Sequence, residues 1–125
     1  MGVILKLAEN KYVDWSSSVD APVSSIMTKE ECYRYVEELE KRQHQVYHQD
    51  DEKIKALKMQ LVQESVKQRM DRVEKNGTSS LVPDDSMEST IAGNRAGPKE
   101  KNITKEEIIE LYSYSPEKKG KFPFT

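Results

Sequence analysis

TKEECYRYVEELEKRQHQVYHQDDEKIKALKMQLVQESVKQRMDRVEKNG, residues 28–77, sets how much of this chain is helical. Thr28 is a good N-cap residue and Glu31 stands three positions on, the spacing of a capping box. Met27 and Cys32 occupy the flanking apolar staple positions. Cys32, Val36, Leu39, Val46 and Tyr47 then recur at helical spacing, and Ile54, Leu57, Leu61, Val62, Val66, Met70 and Val73 extend the stripe. Asn76-Gly77 reads as a C-cap pair. No Pro or Gly interrupts residues 28–75, so a single helix would run about 70 Å at 1.5 Å per residue, longer than a globule of this size is wide. Either such a helix projects into an oligomer, or the polar HQDDE at 48–52 folds it into two antiparallel helices with Asp50 or Asp51 capping the second. Two helices are the expectation.

Upstream, VILKLAENKYVDW alternates Val3, Leu5 and Leu7 against Ile4 and Lys6. It turns at Glu9-Asn10 and resumes with Tyr12, Val13 and Trp15, the pattern of a β-hairpin. Ser- and Pro-rich turn chemistry follows, with Val19, Ala21 and Val23 spaced as a short edge strand. Residues 77–101 read as loop. Thr104 with Glu107 forms a second capping box opening a short helix, TKEEIIELY, and SYSPEKKGKFPFT is a tail. The expected fold is therefore α+β in one domain over 1–125. It comprises a hairpin and edge segment over 1–27, a long helix or helical hairpin over 28–76, and a loop, short helix and tail over 77–125.

Composition narrows the function classes. Apolar residues are 35% and charged residues 34% of 125. That is lean for a globular core, and it suggests long solvated helices or a surface buried against further copies. Twenty basic and 22 acidic residues leave a net charge of −2. They are interspersed, without the basic face that duplex nucleic acid demands. A single cysteine excludes an internal disulfide and fits a reducing compartment. The first residues, MGVILKLAENK, hold too short an apolar run for a signal peptide, Lys6 breaks the myristoylation pattern at Gly2, and no run suits a membrane span. A cytoplasmic protein without membrane association is expected.

Chemistry-bearing residues are sparse. His44 and His48 have the spacing of a zinc helix, but Gln45 stands where the general-base glutamate belongs, so both read as solvated surface. Cys32 sits where a small buried residue is expected, and the paired carboxylates lie on charged helix faces. No nucleophile elbow, P-loop or dinucleotide fingerprint is present. The sequence predicts no enzyme, no cofactor and no metal site.

Two stretches remain. YVDWSSSVDAPVSS gathers Trp15, Ser16 and Asp20. It is either a hairpin edge packing Trp15 on a helix or a ligand wall with one stacking ring and polar donors. TIAGNRAGPKE contains Gly93, Asn94, Arg95 and Gly97. It is either a connector or a shaped loop whose glycines take positive φ, whose consecutive N–H groups form an anion nest, and whose Arg95 adds charge. In the shaped loop, replacing Asn94 or Arg95 weakens ligand binding while leaving the unliganded fold little changed.

KYVDWSSSVDAPVSSIMTKEE near the start, with GNRAGPKE before TKEEIIELY, resembles small bacteriophage proteins and specifically the phage Thoeris anti-defence sponge family. The likeness implies an oligomer in the host bacterial cytoplasm that sequesters a cyclic signalling nucleotide, such as a cyclic ADP-ribose isomer, without degrading it. It carries Asn94, Arg95 and the Trp15–Pro22 segment over as ligand-binding positions. The chain departs from a nucleotide binder's needs in having no aromatic ring just before Asn94 and no basic residue in TKEEIIELY beyond Lys105. The rival expectation is a helical adaptor or virion structural protein with no small-molecule ligand, its amphipathic stripe paired with partner helices.

Overall fold

The computed structural model describes residues 2–113; the tail from residue 114 lies outside them. The fold is α+β. Strands β1 (Gly2–Ala8) and β2 (Lys11–Ser16) form an antiparallel hairpin with Leu5 opposite Val13 and Val3 opposite Trp15. Asn10 takes φ 57° in the two-residue turn, a left-handed position that asparagine tolerates, and its side chain accepts from the Lys29 N–H at 2.8 Å. The edge strand β3 is only Ala21–Pro22, paired with β2, and Val19 and Val23 are exposed. The outer edge of β1 is covered by residues 77–79. Gly77 accepts from Lys6 N–H at 3.0 Å, Ser79 N–H donates to Ile4 O at 2.9 Å, and Ser79 Oγ accepts from Ile4 N–H at 2.9 Å.

Both faces of this sheet are buried, which explains why β1 is a near-continuous apolar run. Ile4 and Tyr12 point to one side, against the helical hairpin, where Cys32, Val36, Val62, Val66, Met70 and Val73 complete a core. Leu5, Leu7, Val13 and Trp15 point to the other, against Met87, Ala96, Ile108 and Tyr112 of the C-terminal segment. The molecule thus has three layers.

Residues 28–76 form two helices. The capping box of Thr28 and Glu31 starts α1 (Lys29–Gln43), with Met27 and Cys32 buried in one cluster as the staple. Gln45 then takes φ 56°, and Val46 N–H returns to Lys41 O at 3.0 Å, closing the helix. Asp51 caps α2 (Glu52–Asn76), accepting from Lys53 N–H at 2.8 Å. Asp50 instead fastens the connection, accepting from Tyr47 N–H at 2.9 Å and Lys58 Nζ at 3.0 Å. Gly77, at φ 77°, ends α2.

The predicted stripe needs correction. Val46 and Tyr47 belong to the connection, not to α1. Ile54, Leu57 and Leu61 are exposed at 48%, 64% and 51%. At 100° per residue they centre roughly 135° around α2 from the buried Val62–Val73 stripe. The span 77–101, expected as loop, also contains a short helix α3 (Met87–Ala92), capped by Ser86 and Ser89, before the expected α4 (Lys105–Leu111).

Candidate functional site

The GNRAGP loop is shaped, but its own atoms shape it. Asn94 is buried, and its amide uses every hydrogen-bonding position. Nδ2 donates to Ile91 O at 2.6 Å and Ile103 O at 2.8 Å, and Oδ1 accepts from Ala96 N–H and Ile103 N–H, each at 3.1 Å. The main-chain donors of residues 94–97 are likewise engaged. Asn94 N–H reaches Ile91 O, Arg95 N–H reaches Asp20 O at 2.8 Å, and Gly97 N–H reaches Lys101 O at 2.9 Å. No anion nest is left open among these four N–H groups, which corrects that expectation. Neither glycine takes a positive φ; Gly93 is at −100° and Gly97 at −81°. Gly97 is required for close approach instead, since a Cβ there would meet Ile103 Cγ2 at 2.6 Å and Lys101 O at 2.9 Å. A Cβ at Gly93 would meet nothing within 4 Å.

Arg95 and Asp20 do come together. The half-exposed guanidinium lies 3.6 Å from Asp20 Oδ2 and 3.6 Å from Glu100 Oε1. Ser16 ends β2 opposite Ala21, and its Oγ accepts from Ser18 N–H at 3.3 Å. Trp15 is fully buried in the core below the sheet, so it offers no stacking face and the ligand-wall expectation fails for it.

Cys32, His44, Glu40 and Glu74 hold structural places. Burial pushes the Cys32 thiol up to about 12, which suppresses the nucleophilic thiolate. His44 ends α1 with Nδ1 3.0 Å from Glu40 O, whereas His48 lies beyond it, so the two do not share a helix face. Among the described residues no cluster of three His, Cys, Asp or Glu could hold a metal, and no helix is long and apolar enough to cross a membrane. Glu40 is buried and paired with Arg69 at 2.9 Å. Tyr12 OH donates to Glu74 at 2.5 Å, and Lys6 Nζ donates to it at 2.9 Å. The Tyr12 hydrogen bond, then that of Lys6, holds Glu74 below the usual carboxylate value.

No family model, curated protein or solved structure matches this chain. A surface groove of about 580 Å³ lies at the tip of the helical hairpin. Val46, Met59 and Tyr47 supply its apolar lining, Lys41, Arg42 and Lys55 its cations, and His48 an imidazole. The sequence pattern did not single it out, because its residues come from the end of α1, the connection and the start of α2. The second unanticipated feature is the turn of residues 80–85, where Leu81 and Val82 are 79% and 57% exposed beside Asp84 and Asp85.

Proposed function

We propose that the protein is a non-catalytic, self-associating interaction module that docks through the outer face of α2. The supporting observation is the exposure of Ile54, Leu57 and Leu61 on a helix whose opposite stripe is already buried. Such a stripe is stabilised by removal from water at about 25 cal/mol per Å² of apolar surface. A second copy suits it. In an antiparallel two-fold pairing, Ile54 faces Leu61 of the other copy and the same helix flank meets itself. Lys53 and Glu64 share one flank of the stripe at helical spacing, so each would approach its opposite charge across the axis.

Sedimentation equilibrium tests this. The parent chain should exceed its 14.4 kDa protomer mass, and Leu57→Glu/Leu61→Glu should sediment at lower mass with its fold intact. A double variant that keeps the parental mass would sink the proposal.

Sequestration of a cyclic signalling nucleotide is the second role, favoured by the half-exposed Arg95 guanidinium, whose two carboxylate partners lie as far as 3.6 Å. A cyclic ADP-ribose isomer at 100 times its dissociation constant should add about 2.7 kcal/mol to stability. It should be recovered uncleaved after heat denaturation, and Arg95→Ala should remove the gain. A cleaved product, or an unchanged gain in the variant, refutes that role.

A further inference from the structure

We propose that the turn at Leu81–Asp85 of one chain seats in the hairpin-tip groove of another copy, making a head-to-tail contact separate from the α2 face. The turn is a preformed knob. Ser80 Oγ bonds Asp85 Oδ2 at 2.6 Å and accepts from Val82 N–H at 3.1 Å, while Asp85 N–H closes onto Val82 O at 3.1 Å. Little ordering is therefore required on docking. It presents Leu81 and Val82, among the most exposed apolar side chains described, followed at once by Asp84.

The groove is complementary in both respects. Val46, Met59 and Tyr47 offer an apolar floor for Leu81 and Val82. Arg42 and Lys55 offer cations for Asp84, and none of these three groups makes an ion pair among the described residues. Glu38, the carboxylate on the same lining, is already held by Lys41 at 3.2 Å. A chain cannot fill its own groove, because the knob follows the end of α2 and the groove lies at its start. The 25 residues of that helix separate them by about 37 Å. Knob and groove are different surfaces, so the contact is heterologous. Repetition closes a ring or extends a filament.

The test uses the full chain carrying Leu57→Glu/Leu61→Glu, which lacks the α2 contact. It should still sediment above the protomer mass. Adding Asp84→Lys, or adding Arg42→Glu/Lys55→Glu, should weaken this remaining association about tenfold or more. An equal mixture of the two charge-reversed chains should regain it, since each reversed knob then meets a reversed groove. Unfolding temperatures near the parent's confirm that these surface changes leave the fold intact. A monomeric starting chain, charge variants that assemble like their parent, or a mixture that stays dissociated overturns the inference. The α2 proposal fails separately, if Leu57→Glu/Leu61→Glu keeps the parental mass.

Discussion

Asn94 is a small residue with a large structural role. Its amide ties three segments, at Ile91, Ala96 and Ile103, inside the C-terminal layer. Asn94→Ala strands buried donors such as the Ala96 N–H, each costing about 1–3 kcal/mol, so a clear drop in urea midpoint is expected. Asn94→Asp should not rescue it, because a carboxylate oxygen would then face the carbonyls of Ile91 and Ile103. An effect confined to ligand binding would contradict this. Gly97→Ala should also destabilise by crowding Lys101 O, while Gly93→Ala should be neutral or stabilising by up to about 1 kcal/mol. Glu74 gives a pH signature. Its folded value lies below the ordinary 4.5, so its contribution is present above that value and is lost as pH falls through the lower one. Burial raises Asp14 despite the Tyr35 hydroxyl bond, which gives the opposite sign. Glu74→Gln should therefore cost about 1 kcal/mol at neutral pH, allowing for solvent contact, and flatten the acid limb of the stability profile. An unchanged acid limb in chemical denaturation would refute the assignment.

Helix ends were the most legible elements, because capping is local chemistry. Thr28 with Glu31, Thr104 with Glu107, Asp51 and Gly77 all act where their residue types predict. The short helix α3 escaped because Ser89, not glutamate, completes its box. Helix periodicity alone also merged two stripes of α2, since which apolar side faces a sheet is decided by β1 and β2, far away in sequence. The same limit applied to the loop at 93–97. Its glycines and asparagine were legible as shape, but nothing local says whether N–H donors meet a ligand or the carbonyls of Asp20 and Lys101. At the end of α1, Gln45 holds a left-handed conformation that costs a side-chain-bearing residue about 1–2 kcal/mol. Gln45→Gly should raise the unfolding temperature, and a fall would show that the Gln45 side chain contributes more than its backbone strain removes.

At the scale of the molecule, the sheet is the shared wall of two cores. Met70, wholly buried against its helical side, should lose about 2–5 kcal/mol on truncation to alanine. Ile108 on the other side should behave likewise, and the two losses should add, since separated sites do so. Salt divides the proposed contacts in the same way. The knob-and-groove pairing should weaken steeply with ionic strength, while the mainly apolar α2 face, with only its flanking Lys53 and Glu64 screened, should weaken much less. The covered outer edge of β1 bears on the kind of polymer this protein can make. With Gly77 and Ser79 occupying that margin, and β3 only two residues long and ending in Pro22, the sheet gives an incoming chain scant template for cross-β growth. Concentrated solutions should thus thicken by native, dilution-reversible association, and a seed of amyloid strands should find little to recruit.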